Sequence, residues 1–354
     1  MWGVHYCTAF DSGYLARGLA MISSLRDAGV QDEVRVLCLD DLCLEYMASL
    51  ELDGVTLLGL SDLEQVTPRL AAAKSGRSKG EYIFTCIPAL VRHVLAHSSP
   101  GDYVAYLDSD VYFYVDPTDG LFGDLHRLGG SIGLTSHRFP EDLKHLRQYG
   151  DFNAGCVVFR NDDRGRAAST WWSEACLDWC WDYPDDGRYA NQGYLNDIAR
   201  KFEGACVLPA GGLNVAPWNM AGTTIHQMGQ SYCLEDGTPL MFFHFHGLRQ
   251  RGEWMYTGLR AFKVSADSAV LQGLYAPYVL RLEEIAVGVA PINLGCPIPR
   301  TDALVGTRRS RGMRTLMRRT RGRYLQGAER LRGEALRVPK AIANPTHTSV
   351  RVDP

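Results

Sequence analysis

Residues 103–115 read Tyr-Val-Ala-Tyr-Leu-Asp-Ser-Asp-Val-Tyr-Phe-Tyr-Val, an apolar, β-prone run interrupted by two carboxylates one residue apart. A buried strand has no use for such charges unless something compensates them. Side chains at i and i+2 of an extended segment point to the same side, so Asp108 and Asp110 are expected to converge on one point beyond the strand end. A divalent cation is the usual occupant of such a point. Hard oxygen ligands suit Mn2+ or Mg2+, ions that bridge protein carboxylates to a substrate diphosphate. Asp-x-Asp is common by chance and is mostly found in solvated turns, but the hydrophobic flanks here weigh against that bland origin.

Outward from this run, the preceding chain alternates strand and helix signals. Residues 4–9, 33–39 and 55–58 read as strands, while 14–25 and 60–73 carry helical periodicity and a further helix separates the second and third strands. A polar stretch at 74–80 precedes another helix over 81–96. This is βαβα order, which predicts an α/β fold with a mainly parallel sheet flanked by helices and ligands at the carboxyl ends of the strands. No Gly-x-Gly-x-x-Gly follows the first strand and no Walker loop occurs, which removes the usual dinucleotide and P-loop fingerprints.

The second half is less regular. Residues 152–160 (Phe-Asn-Ala-Gly-Cys-Val-Val-Phe-Arg) read as a strand, followed by a Trp-rich helix over 165–181 and a helix over 189–201 that opens with Asn191 and Gln192. Residues 206–221 mix Gly, Pro and Asn around Trp218 and read as a shaped loop. Residues 240–246 (Leu-Met-Phe-Phe-His-Phe-His) then place His244 and His246 on one side of a strand and Phe243 and Phe245 on the other. A single strand histidine is most often a core residue, but beside a strand-borne Asp-x-Asp one imidazole can complete a cation shell. Helical segments over 253–287 are expected to close the body.

Composition sets the class. The chain has 354 residues, 46% hydrophobic and 22% charged, as an ordinary globular protein does. None of its ten cysteines forms a Cys-x-x-Cys pair, so a structural zinc site is not expected, and the spacing of Cys176 and Cys180 fits one buried helix face. No apolar run reaches bilayer length, and the first strand leaves no room for a cleaved leader, which gives the expectation of a cytoplasmic protein. The net charge of −3 conceals a split: residues 300–340 carry thirteen Arg or Lys against three acids. Met313, Leu316, Met317, Tyr324, Leu325, Leu331 and Leu336 recur there at roughly helical spacing. Four glycines, at 312, 322, 327 and 333, weaken that helix by about 1 kcal/mol each relative to Ala. A basic amphipathic tail over 300–354 that docks peripherally on an anionic membrane, on its inner face, is therefore one expectation and a solvated tail the other. Nucleic acid is not an expected partner, because the acidic body offers no basic face.

Taken in order, Asp108-Ser109-Asp110 after a hydrophobic strand, Asn153-Ala154-Gly155 in a later one, Gln192 at a helix start and His244-Phe245-x-Gly247 resemble the motif series of GT-A glycosyltransferases, closest to family 8. Ala9, Asp11 and Tyr14 resemble the nucleotide-binding start of that family, across a likeness that spans residues 2–250. The resemblance implies a nucleoside-diphosphate-sugar donor, UDP-linked, and a Mn2+ or Mg2+ ion held by Asp108, Asp110 and His244. It implies nucleotide contacts from Thr8, Ala9, Asp11, Tyr14, Lys79, Asp108, Ser109, Gly247, Arg249 and Arg251. Asn153, Asn191, Gln192 and Asp151 would lie at the catalytic centre. The single domain would divide into a nucleotide-sugar half over 1–135 and an acceptor half with closing helices over 136–299.

The chain departs from the family at Asn191, where Asp is usual, and at Gln250, where Lys is usual. No Arg in the helix before Asp108 matches the family's own, and Lys79, Arg92 and Arg251 stay open as its replacement. The implied reaction is transfer of a sugar to the hydroxyl of a sugar, lipid-linked glycan or small-molecule acceptor, in polysaccharide, glycolipid or secondary-metabolite biosynthesis. Family 8 chemistry retains configuration, with Gln192 on the far face of the anomeric carbon. An inverting enzyme would need a carboxylate base, for which Asp151 and Asp197 are the candidates. Two rivals are a nucleotidyltransferase, which should carry a basic Gly-rich loop that residues 8–15 lack, and a degenerate GT-A protein that binds nucleotide-sugar or glycan without turnover.

Overall fold

Strong alternation of large apolar side chains makes the first strands, and their two faces supply two cores. β1 (Val4–Phe10) turns Tyr6 and Phe10 to one face and Cys7 and Ala9 to the other. The structure, a computed structural model, describes residues 2–209, 211–221, 223–228, 231–251, 254–264, 271–288 and 335–337. Nearly all of the basic stretch over 300–354 lies outside the described residues, as does the expectation attached to it.

β1 pairs in parallel with β2 (Glu33–Cys38) and β4 (Tyr103–Leu107), and β2 with β3 (Val55–Gly59). Helices α1 (Leu15–Asp27) and α2 (Asp41–Ser49) make the first two crossovers. The third uses α3 (Leu60–Val66), α4 (Pro68–Ala73) and α5 (Lys79–Ala96). The single helix expected over 60–73 is thus two. Pro68 has no N–H to continue the first helix and instead occupies the first turn of the second. α5 starts two residues before the expected position because Ser78 and Glu81 form a capping box, which brings Lys79 into the first turn.

The remaining strands of the main sheet are β6 (Ile132–Ser136), β7 (Phe152–Arg160) and β8 (Ala205–Val207), β5 being Val111–Phe113 in a small separate sheet. The seven-stranded order is β3-β2-β1-β4-β7-β6-β8. Only β7 runs against its neighbours, pairing antiparallel with both β4 and β6. The expected α/β fold with a mainly parallel, helix-flanked sheet is the one observed. One layer, under α5 and α7 (Asp163–Asp178), is built on Leu90, Val94, Phe159 and Trp172; the other, under α1 and the short α6 (Asp124–Arg127), on Leu15, Met21, Leu25, Phe122 and Leu125.

The run at 103–115 is not one strand. β4 ends at Leu107, Asp108–Asp110 form a turn, and β5 resumes at Val111. The two carboxylates therefore converge through a turn and not through the pleat. A hairpin of β9 (Ile225–Met228) and β10 (Ser231–Leu234) precedes β11 (Phe242–His244), which pairs antiparallel with β5, with His244 opposite Val111. Phe243 and Phe245 enter a third core with Tyr275 and Tyr278, beneath the helix Ala276–Gly288. The helix expected over 189–201 starts only at Tyr194 (α8, Tyr194–Lys201), so Asn191 and Gln192 occupy the preceding turn.

Candidate metal centre

Two strand registers assemble the site. The pairing of β4 with β7 puts Leu107 opposite Cys156, and the Asp108 N–H donates to the Gly155 carbonyl at 2.9 Å. The pairing of β11 with β5 brings His244 alongside, and the Phe245 N–H donates to the Asp110 carbonyl at 2.9 Å. His244 Nε2 then lies 3.0 Å from Asp110 Oδ1 and 3.8 Å from Asp108 Oδ2. One ligand atom from each of the three residues falls within 4.8 Å of the others. The His244 side chain is 2% exposed, whereas Asp108 is 34% and Asp110 17% exposed, so approach is from the carboxylate side.

The residues fit a divalent ion. Two hard carboxylates and one imidazole form a suitable donor set, and Gly155 keeps the room beside them. A Cβ there would stand 2.6 Å from Asp108 Oδ2 and 2.7 Å from His244 Cε1. Desolvation raises the Asp108 carboxyl to about 6, with the Asp110 charge adding to the rise and His244 opposing it. Desolvation acts the same way on Asp110, but His244, His246 and Arg17 outweigh it and hold that carboxyl below its ordinary range. His244 loses affinity for its proton through burial and regains more from Asp110 and Asp108, a net rise. His246, buried beside it, is lowered to about 4 by desolvation and the His244 charge. In the protein alone, the His244 proton offsets the two carboxylates, a task a cation would take over.

Behind the centre runs a buried chain of amides. Asn153 Nδ2 donates to Gln192 Oε1 at 3.1 Å, and Gln192 Nε2 donates to the Tyr149 carbonyl at 2.9 Å. Asn191 is buried, its carbonyl accepting from Trp172 Nε1 at 2.8 Å. Trp218 forms a wall of the site: it is 3% exposed and packs edge-on to His137, His244 and His246. Asp151 lies to one side, its carboxylate engaged by Arg147 and Asn196.

The expected nucleotide residues at the end of β1 gather around a second acid. Asp11 caps the turn before α1, accepting from the Tyr14 N–H at 3.1 Å, and meets Lys79 Nζ at 2.6 Å. Thr8 and Ala9 are buried within β1, and Ser109 is buried in the turn between the aspartates. Gly247 adopts a left-handed φ of 78°, and Gly258 packs on its carbonyl, where a Cβ would stand 3.1 Å away. Arg249 and Arg251 bound β12 (Arg249–Arg251), with the Arg251 side chain outside the described residues. Two site residues carry no motif signal. Arg17, a buried cation in apolar α1, stacks 4.9 Å from the Tyr14 ring centroid and donates to the Leu248 carbonyl at 2.8 Å. Asn214, in the Gly-Gly-Leu-Asn loop, is fully buried with φ 51°, and only its taste for left-handed backbone could have singled it out.

No protein-family model matches the sequence. Two proteins of Bacillus subtilis strain 168, both uncharacterized, are each 30% identical to it: YfnF over 69% of this chain and 81% of its own, and YfnD over 79% and 88%. Among solved structures, the galactosyltransferase LgtC in complex with donor and acceptor sugar analogs is similar at 19% identity. Its TM-score is 0.49, with 76% of this chain and 99% of that one covered. Mouse xyloside xylosyltransferase 1 is similar at 14% identity and TM-score 0.44, over 69% of this chain and 98% of that one. By its 30% identity over most of both partners' lengths, the chain belongs to the family of YfnF and YfnD.

Proposed function

We propose that the protein is a metal-dependent glycosyltransferase of the family 8 type, moving a sugar from a UDP-sugar to an acceptor hydroxyl with retention of configuration. The observation that carries this reading is the convergence of Asp108, Asp110 and His244 at the carboxyl end of a parallel sheet, where α/β folds bind their ligands. Asp108, Asp110 and His244 would hold Mn2+ or Mg2+, which when bound offsets charge on the departing diphosphate.

The chain's own residues do the rest. Asp11 and Tyr14 receive the base, with Lys79 beside Asp11, and Arg249 and Arg251 follow the His-Phe-x-Gly segment as cations for phosphate. Gln192, fixed at both ends of its amide by Asn153, Ala154 and Tyr149, is held rigidly for a role beside the donor sugar. Asn191 Nδ2 and Trp218 Nε1 are buried donors without a partner among the described residues. Such atoms are costly unless a ligand meets them, and a polyhydroxylated substrate supplies acceptors. Retention is favoured because both candidate bases are engaged: Asp151 by Arg147 and Asn196, and Asp197 by Arg200 and Lys201. No helix among the described residues is long and apolar enough to cross a membrane. We place the enzyme in the cytoplasm, with residues 300–340 resting on an anionic surface, a reading that liposome flotation with and without those residues tests.

The test of function is a thermal-shift panel of UDP-, GDP-, dTDP- and CMP-sugars with and without Mn2+, on the wild type and on Asp110→Ala. A metal-dependent rise confined to UDP-sugars and lost in the variant is expected. Stabilisation by no nucleotide under any metal condition would sink the transferase reading. Stabilisation without hydrolysis or transfer would point to the degenerate binder, which Asn191 in place of the family's Asp favours.

A further inference from the structure

His244 has two ring nitrogens, and only one can face the carboxylates. The buried amides around it decide which. Thr135 Oγ1 gives its single hydrogen to the Cys156 carbonyl at 2.9 Å, so it can only accept from Asn214 Nδ2, 3.2 Å away. Asn153 Oδ1 accepts from the Gly155 N–H at 3.1 Å and lies 3.1 Å from the same Asn214 nitrogen. Both neighbours of that nitrogen are acceptors, so the Asn214 amide cannot be flipped. Its oxygen must face His244 Nδ1, at 3.4 Å. An amide oxygen has no hydrogen to give, so Nδ1 must supply it. The loop has little freedom to rearrange: the Asn214 carbonyl accepts from Asn219 Nδ2 at 3.0 Å, and the His244 N–H donates to the Val215 carbonyl at 2.8 Å.

We propose that Asn214 is a positioning residue: it accepts the Nδ1 hydrogen of His244, so that Nε2 is the nitrogen that faces Asp108 and Asp110 and gives up its own proton when a cation takes that place, and through Asn153 it ties this orientation to Gln192. The far end of the chain is equally directed, since Gln192 Oε1 accepts from both Asn153 Nδ2 at 3.1 Å and the Ala154 N–H at 3.2 Å. The imidazole at the ion and the amide at the donor sugar are thereby parts of one hydrogen-bonded unit. Partners that orient a ligating histidine in this way set both its tautomer and its basicity. The purpose assigned to Asn214 rests on the ion-binding reading above, but the hydrogen on Nδ1 does not: without an ion Nε2, 3.0 Å from Asp110 Oδ1, carries one as well.

The experiment is 15N–1H NMR of the metal-free full chain, following solvent exchange of the His244 Nδ1–H, the signal being assigned by its loss in His244→Gln. Wild type is compared with Asn214→Gly, which accepts the left-handed φ, and with Asn214→Asp, which keeps an oxygen toward the imidazole. Wild type and Asn214→Asp should protect the Nδ1–H from exchange, and Asn214→Gly should lose that protection. A parallel Mn2+ titration by electron paramagnetic resonance should show affinity falling about 10- to 100-fold in Asn214→Gly. An unprotected Nδ1–H in the wild type, or equal protection in wild type and Asn214→Gly, overturns the proposal. A wild type that binds no Mn2+ yet protects the Nδ1–H, with that protection lost in Asn214→Gly, upholds the role of Asn214 and overturns the ion-binding reading instead.

Discussion

At the amino ends of β1 and β2, His5 stands between two carboxylates, Nδ1 at 3.1 Å from Glu33 Oε2 and Nε2 at 3.2 Å from Asp102 Oδ2. At the carboxyl end of β4, His244 stands against Asp108 and Asp110. The inventory is the same and the wiring is opposite. Each His5 nitrogen has its own carboxylate, and each carboxylate has further donors: Arg35 at 3.0 Å and Thr56 at 2.7 Å on Glu33, and the N–H groups of Gly3 at 2.6 Å and Ser99 at 3.0 Å on Asp102. In the other cluster both carboxylates share one nitrogen, the second nitrogen belongs to Asn214, and among the described residues this is the trio placed to hold an ion. Proton affinities follow the wiring. Desolvation acts against Glu33, but Arg35, Thr56 and His5 outweigh it and bring the carboxyl to about 2, whereas Asp108 is raised to about 6. A His and two acids are a clamp when their lone pairs are already engaged, and an ion site when they are left over.

The largest effect should come from exchanging one acid for its amide at each end. Asp110→Asn is expected to weaken Mn2+ binding by more than about 100-fold, since it removes a ligand and not merely a ligand's support. Asp102→Asn should leave Mn2+ affinity within about twofold; a matching loss in both variants, by paramagnetic resonance titration, would erase the distinction. Next is Gly155→Ala, whose Cβ meets Asp108 and His244 at under-contact distances. Overpacking of this kind costs about 1–3 kcal/mol, and Mn2+ affinity should fall with it. An unchanged urea midpoint and unchanged affinity would show that the neighbours yield. Asp102→Asn should itself lower stability by about 1.5–3 kcal/mol, the range of hydrogen bonds to a charged acceptor, with the urea midpoint as readout.

The smallest effect is a pH dependence at Glu33. Its folded-state affinity for protons lies below the ordinary 4.5, at about 2, so the stability it contributes is present above 4.5 and is lost as pH falls toward 2. Because the side chain is 29% exposed, solvent screening keeps the contribution under about 1 kcal/mol. Glu33→Gln should flatten the decline of the urea midpoint between pH 5 and pH 3, and an equally steep decline in the variant would assign that acid sensitivity to other groups.

Much of the fold could be read from the chain. β1 to β4 announced themselves because apolar side chains repeat with the pleat, and α5 because its apolar positions repeat with the helical turn. β6 and β8 did not. Ile132-Gly-Leu-Thr-Ser136 and Ala205-Cys-Val207 are too short and too small-residue-rich to carry a period, and they are strands because β7 and β6 offer them an edge. The start of α8 was misplaced because Asn191 and Gln192 belong to a turn fixed by Trp172 and Tyr149, both distant in sequence.

The sequence by itself determined that two carboxylates stand at the end of a hydrophobic strand and that a histidine pair shares parity opposite two phenylalanines. These are facts of neighbouring residues, which spacing and chain geometry dictate. Only the tertiary structure decided that the carboxylates meet across a turn, that β11 lies on β5 to bring His244 to them, and that Asn214 turns its oxygen to the imidazole. Those outcomes depend on strand register and on hydrogen bonds between segments far apart in the chain, and no local pattern of side chains records them.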